Sequence, residues 1–314
     1  MREFDRDRTT MFFDPLGEPI AEVDPGERIL VRTADSLCGL AKRTAPRGYH
    51  IDDVLDELGG ACPLTGPFYV TGAQPGDLLV LELHQVAPDP SAGEAWTGVF
   101  DGFGALTSEV YSLQPSIGRE TRVVPYRDGV AQFPAKGGSI PIPMKPFLGT
   151  VGVAPKRERR MTFSQAAEYL GDVDLPQLRA GASVVLPVNV PGALFSLGDA
   201  HAAQGDGEIT GTALEIEAEV QLTVRVVPGD GADFAGLPQL NTEKSIGSIA
   251  SLYGVHLGDC ARAAYVDLVR RLVKSHGFSQ LEAYELVGQV GRLRIGNMID
   301  PFYSALATID RRYL

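Results

Sequence analysis

No run of about 18 apolar residues occurs anywhere in the chain, which excludes a membrane-spanning helix from the sequence reading. The opening MREFDRDRTTMFF alternates charges and has no apolar centre of the kind a secretory signal carries, so a cytoplasmic location is expected. Basic residues are also short: 28 Lys and Arg stand against 40 Asp and Glu, a formal net charge of -12. The charges are mixed rather than blocked, so no face is available for a phosphate backbone, and neither nucleic acid nor a membrane is expected as a partner. Cysteine is scarce. Cys38, Cys62 and Cys260 are odd in number and far apart, which fits neither a disulfide framework nor a CxxC metal knuckle. Each is expected to be a small buried hydrophobe.

What is abundant is punctuation. The 36 Gly and 22 Pro make up almost a fifth of the chain and are spread evenly, as turns between many short strands would require. Pro-Gly-acid precedes an apolar run in DPGERILVRT (24–33) and in QPGDLLVLEL (74–83), and RAGASVVLPV (179–188) is a looser copy. Pro then Gly suits the centre of a type II turn. From Leu214 to Val226 apolar and polar residues alternate over thirteen positions, which predicts a strand with one buried and one wet face. Near the end, Asp259 opens a helical pattern stopped by Gly277, and SQLE at 279–282 reads as a capping box for a second helix reaching about Val290. The tail RIGNMIDPFYSALATI looks like a returning strand. The stretch 126–155 is so rich in Gly and Pro that it is expected to be a long loop packed on the body. No internal boundary is visible, so 1–314 is read as one domain. The expected fold is mainly β, sandwich or barrel-like, with a few helices chiefly near the C-terminus, or α+β if the helical part is counted separately.

One segment concentrates chemistry. In GDAHAAQGDGE, Asp199 and His201 are two residues apart and share one side of an extended backbone. A carboxylate and an imidazole on one face are the minimum for a metal site or for a base with its orienting partner. Glu215 is the first wet-face acid of the long strand; if that strand pairs antiparallel with the one ending near Leu197, Glu215 returns beside them. Two carboxylates and one imidazole suit Zn²⁺ with an open position. Asp206, between Gly205 and Gly207, reads equally as a turn residue. Outside the segment, His50 beside Asp52 and Asp53 is a further ligand candidate, Asp35 precedes a Gly turn as a site candidate, and Lys145 is a candidate to reach a substrate carbonyl.

At PVNVPGALFSLGDAHAAQGDGEITGTALE the sequence resembles the acetamidase/formamidase family, whose signature is GALF-x-x-GD-x-HA-x-QGDGE followed by Gly-x-Ala and Glu. LTGPFYVTGAQPGDLLVLEL (64–83), KPFLGTVGVAP (145–155) and EAYELVGQVGRLRI (282–295) agree with the same family. The resemblance implies hydrolysis of small linear carboxamides to a carboxylate and ammonia, a β-rich fold, metal dependence, and a homo-oligomer, a dimer or trimer. It sets Asp199, His201, Gln204, Asp206, Glu208 and Glu215 in or beside the site, with Asp35 as a further candidate. Where the family usually carries GGN-x-D, this chain has LGDVD: Asp174 is kept, but Leu170 and Asp172 replace Gly and Asn. Gly291 and Asn297 stand where Asp and Gln are commoner.

The sequence offers no rival nucleophile. KGGSIP lacks the second serine of a Ser-Ser-Lys amidase, and no cysteine has the basic neighbours of a Glu-Lys-Cys site. The expected reading is therefore a metal-dependent amidase in which Asp199, His201 and Glu215 hold a divalent ion, Zn²⁺ with Ca²⁺ as the alternative. Glu208 or Asp206 would move the proton, and Gln204 would contact the amide or the oxyanion. The competing expectations are an inactive binding or scaffold protein of the same fold and a hydrolase of a different amide.

Overall fold

The computed structural model describes residues 1–101, 103–106, 118–229, 234–299 and 301–314, and of Ile51 the backbone alone. The three turns singled out above have Gly26, Gly76 and Gly181 at φ of 91°, 100° and 87°. Glycine adopts these left-handed values freely. Each turn closes with a 3.0 Å bond, from Glu27 N to Asp24 O, from Asp77 N to Gln74 O and from Ala182 N to Arg179 O. They open the strands Arg28–Thr33, Leu78–Pro88 and Ala182–Pro187. All three lie in one sheet, nine-stranded among the described residues, which continues through Gln239–Thr242, Ser245–Tyr253, Phe302–Asp310 and Arg292–Ile295.

The second sheet, twelve-stranded among the described residues, is centred on Phe195–Ala203, with Phe147–Gly152 on one side and Leu214–Ile216 on the other. Leu64–Val70 also pairs with Phe195–Ala203. One apolar cluster draws Ile29, Leu81, Val184 and Val220 from the first sheet and Phe68, Leu148, Phe195 and Leu197 from the second, so the two sheets pack face to face. The fold is mainly β with a few helices, as expected.

The C-terminal helices form where their signals stand. Leu257–His276 ends at Gly277 with φ 75°, and Gln280–Val290 begins at Ser279 with both capping-box bonds made. Their apolar stripes, Cys260, Ala264, Leu268, Leu272, Ala283 and Val287, pack on Ser245–Tyr253 and Phe302–Asp310. The tail returns as an antiparallel pair, Arg292–Ile295 with Phe302–Asp310. Two short helices were not foreseen, Leu40–Thr44 and Ile51–Leu58, which cover a small cluster around Trp96 and Phe100. Among the described residues no helix is long and apolar enough to cross a membrane.

Three expectations need correction. The stretch 126–155 is largely strand: Val130–Ala135 and Gly138–Pro143 form a hairpin, and Phe147–Gly152 is central. Pro141 and Pro143 are tolerated because their strand is a sheet edge. The thirteen-residue run 214–226 is two strands, Leu214–Ile216 in one sheet and Ala218–Val227 in the other, with Glu217 as the corner. Crossing between sheets buries Glu215, which is 2% exposed instead of wet. The cysteines are all free, but only Cys260 is a buried hydrophobe; Cys38 is exposed and Cys62 half-buried.

Candidate metal centre

The register of three strands builds the centre. Across Phe195–Ala203, His201 stands opposite Phe147 on one side and opposite Glu215 on the other. Asp199, two residues before it, has φ 53°, a conformation that Asp tolerates better than most residues. His201 Nε2 lies 3.4 Å from Asp199 Oδ1 and 3.3 Å from Glu215 Oε2. Ligands held about 2.0–2.1 Å from a tetrahedral zinc stand about 3.3 Å apart, so this spacing fits such an ion. The other ring nitrogen is committed: Nδ1 is 2.9 Å from Gln204 Oε1, while Gln204 Nε2 donates to Asp174 O at 2.8 Å and Gly296 O at 3.1 Å. An amide oxygen only accepts, so Nδ1 carries a proton, and Nε2 is the nitrogen that faces the two carboxylates. Ser36 Oγ and the Ala213 N–H, each at 2.8 Å, fix Glu215.

Further acids converge on the same space. Asp174, at φ 48°, accepts from Asn297 Nδ2 at 2.8 Å. Thr150 Oγ1 lies 2.7 Å from Asp172 Oδ1 and 3.0 Å from Asp199 Oδ2. The backbone beneath them is Gly149, whose carbonyl accepts from the N–H groups of Val173 and Asp174 at 3.1 Å. Glu208, at φ 45°, has a carboxylate oxygen 4.0 Å from His201 Nδ1. Cys62 at φ 54° completes a set of four non-glycine cavity residues in the left-handed region; such conformations cost about 1–3 kcal/mol each and gather at functional sites.

The cavity is small, about 100 Å³, and Asp172, Asp174, Asp199, Glu208 and Glu215 share it with His201. Among the described residues its lining includes no lysine or arginine; the remaining wall is largely apolar, with Leu37, Trp96, Phe100, Phe163 and Ile299. Electrostatics follow. Burial, then the charges of Asp174 and Asp199, push Asp172 well above the carboxylate range. Burial, then the charge of Asp174, does the same to Glu208, and burial lifts Asp174 to about 7 and raises Glu215. Burial also works against Asp199, but the charge and hydrogen bond of His201 hold it below its ordinary value. For His201, burial opposes the charged form and is outweighed by Glu215 and Asp199, which lift it well above its ordinary value. Burial, then Asp199 and Asp172, push the Cys62 thiol well up, so it is no thiolate nucleophile.

Among the described residues, three groups have ligand atoms within 4.8 Å of one another and could each hold an ion: Asp199, His201 and Glu215; Asp174, His201 and Glu208; and Cys62, Asp172 and Asp199. A cavity with five acids and a single imidazole fits a cation, because carboxylates this close cannot all ionise unaided.

Of the residues expected from sequence, the structure brings together Asp174, Asp199, His201, Gln204, Glu208 and Glu215. Gln204 serves differently than expected, since its amide is fully engaged within the chain. Asp206 lies outside: it is half exposed and pairs with Arg294 at 3.1 Å, as the open tip of a Gly-flanked turn favours. Lys145 is exposed on the chain leading into Phe147–Gly152. His50 caps the helix Ile51–Leu58, its Nδ1 accepting from the Asp52 N–H at 3.3 Å. Asp35 lies behind the cavity, its Oδ1 accepting from the N–H groups of Leu37 and Gly39. Leu170 is core rather than cavity wall, fully buried at φ 75°. Ser36, Cys62, Gly149 and Thr150 were not foreseen. Asp172 and Asn297 were read as departures from the family pattern, and both line the cavity.

Known proteins share this fold. The chain matches the fold of an acetamidase from Yersinia enterocolitica with a TM-score of 0.88 at 27% identity, covering 100% of this chain and 93% of that one. An acetamidase from Bacillus halodurans matches with a TM-score of 0.86 at 27% identity, over 99% and 98% of the two chains. A formamidase from Methylophilus methylotrophus is 25% identical over 69% of this chain and 63% of its own. The chain spans between 57% and 64% of the length of the curated relatives it matches. The sequence model of the acetamidase/formamidase family matches residues 12–170 and 156–308. This chain therefore belongs to the acetamidase/formamidase family.

Proposed function

We propose that the protein hydrolyses a short linear carboxamide to a carboxylate and ammonia, with a divalent ion, zinc, held by Asp199, His201 and Glu215. The observation that carries the reading is the buried His201 Nε2, 3.3–3.4 Å from two carboxylates, in a cavity whose described lining includes no basic residue. A nitrogen ligand within the set favours zinc over Ca²⁺, which prefers oxygen throughout. When bound, such an ion supplies Lewis-acid polarisation and brings water to a pKa near about 7.

The chain's own groups do the rest. Gln204 keeps the Nδ1 proton in place, so Nε2 is the nitrogen that would face the ion, giving up its own proton as the ion binds. Glu208 carries the proton: among the cavity acids it alone accepts no hydrogen bond from a described residue, and burial beside Asp174 favours its protonated form. An amide nitrogen leaves badly unless it is protonated as the C–N bond breaks, and Glu208 can deliver that proton. The apolar wall receives the acyl group. A cavity of 150 Å³ holds benzene, so about 100 Å³ takes roughly four or five non-hydrogen atoms, the size of acetamide or propionamide.

The test is chelation with a strong chelator, zinc restoration, and ammonia release over a panel of short amides. Loss and recovery of turnover support the reading. Full turnover by demonstrably metal-free protein sinks it, and a metal-free inert protein favours a binding role.

A further inference from the structure

A second cluster of charges, outside the cavity, is left unused by this reading. Lys42, on the helix Leu40–Thr44, directs its ammonium at both carboxylate oxygens of Glu217, with Oε2 at 2.5 Å, and at Asp35 Oδ2 at 3.2 Å. The side chains are 17%, 18% and 0% exposed for Lys42, Glu217 and Asp35. Ion groups this dry cost nearly as much to desolvate as they return, so net stability is a poor account of them.

Their neighbours suggest a better one. Asp35 immediately precedes Ser36, and Glu217 is two residues beyond Glu215. Ser36 Oγ donates to Glu215 Oε2 at 2.8 Å, and that same oxygen stands 3.3 Å from His201 Nε2. Asp35 Oδ1 also holds the N–H groups of Leu37 at 3.1 Å and Gly39 at 2.8 Å, which fixes the turn presenting Ser36. Ser36 follows a strand of one sheet and Glu215 belongs to the other. Lys42 thus fastens the segment bearing the hydroxyl to the segment bearing the carboxylate. The last torsion of a Glu side chain is broad, so one anchor, the Ala213 N–H on Oε1, leaves the carboxylate free to turn.

We infer that Lys42 is a positioning residue for the metal centre: by clamping Asp35 against Glu217 it sets the Ser36 to Glu215 hydrogen bond, and through it the direction in which Glu215 offers its ligand oxygen. This rests on the assignment of Asp199, His201 and Glu215 as ligands.

The experiment is zinc titration of the full chain against a competing chelator, with thermal unfolding of the same samples, for wild type, Lys42→Met, Lys42→Arg, Ser36→Ala and Lys42→Met/Ser36→Ala. Groups that orient a ligand change metal affinity by about 10- to 100-fold. Lys42→Met and Ser36→Ala should each weaken zinc by that order. Lys42→Arg should restore most of the affinity, and the double variant should bind no more weakly than the worse single one, because both act through one bond. If Lys42→Met does not fold, Lys42→Met/Glu217→Gln, which removes one of the two carboxylates left facing it, takes its place. Zinc affinity unchanged by the loss of Lys42, or effects that simply multiply with Ser36→Ala, would overturn the inference while leaving the ligands standing. Wild type that binds no zinc removes the reading and the inference together.

Discussion

Adding one methyl group at Gly149 tests the geometry of the centre as a whole. A Cβ built there lies 2.5 Å from Asp199 Oδ2, 2.7 Å from Asp174 Oδ1 and 2.8 Å from His201 Cε1. Real Cβ contacts do not fall below 3.0 Å, so the Asp199 oxygen must retreat by at least about 0.5 Å. None of the three groups is loose: Thr150, Asn297 and Gln204 hold them at 3.0, 2.8 and 2.9 Å. Metal–ligand distances hold to about 0.2 Å, and Oδ2 belongs to the same rigid carboxylate as the ligand oxygen Oδ1, so a shift of this size carries into the ligand set. Gly149→Ala should weaken zinc by about 100-fold or more, about 2.8 kcal/mol. Overpacking costs about 1–3 kcal/mol, and a stiffer unfolded chain returns about 0.4–1 kcal/mol, so the metal-free fold should lose only about 1–2 kcal/mol. Zinc stoichiometry, chelator competition and thermal unfolding on one sample separate the two effects. Wild-type zinc affinity in this variant would refute the arrangement of ligands argued above.

Other perturbations bear on single residues. His201→Ala should abolish stoichiometric zinc and amide hydrolysis while circular dichroism still reports a β-rich fold; retained metal with near-normal turnover would return Asp199 and Glu215 to the status of buried structural acids. Gln204→Leu should weaken zinc by about 10- to 100-fold through loss of the Nδ1 partner, and should cost about 1–3 kcal/mol of stability for the carbonyls of Asp174 and Gly296 left without a donor; equal affinity in wild type and variant would show that the ring needs no fixing. In the metal-free protein, Asp174 titrates near about 7 rather than 3.8, so the folded state holds a proton that the unfolded chain releases in that interval, and its contribution to stability falls as pH rises from about 4 to 7. Raised His201 acts in the same direction and depressed Asp199 against it. Melting temperatures against pH should therefore slope more steeply downward for wild type than for Asp174→Asn, and zinc, which needs deprotonated ligands, should reverse the trend; identical slopes would mean that Asp174 is not the group responsible.

Local signals were readable in the sequence. The Pro-Gly turns, the capping box at Ser279 and the stop at Gly277 each act through their own backbone, so a few residues suffice to specify them. Asp199, His201 and Glu215 were readable because one antiparallel pairing brings them together. The burial of Glu215 was not, since strict alternation cannot show that the chain changes sheets at Glu217. Glycine and proline in 126–155 suggested loop, yet Gly149 is a point of close approach between three site side chains, and Pro141 and Pro143 sit on an edge strand. Cys62, Ser36 and Thr150 come from segments far apart in the chain, and only tertiary structure assembles them. Asp172 and Asp174 repeat the two-residue spacing of Asp199 and His201, a signal that was available and pointed to the same centre.

The acid-rich lining also sorts molecules by charge. A neutral amide crosses such a field with little penalty, whereas the carboxylate made from it stands among like charges, each interaction costing about 1 kcal/mol in water and about 4 kcal/mol at a surface-like effective dielectric, at a separation of 4 Å. The two ligand carboxylates balance a divalent ion, and among the described residues the lining adds acids but no lysine or arginine to receive a further anion. For the reaction proposed, a carboxylate product finds no lysine or arginine to hold it, which favours its release. The ammonium ion, drawn to the same groups, becomes the product that lingers.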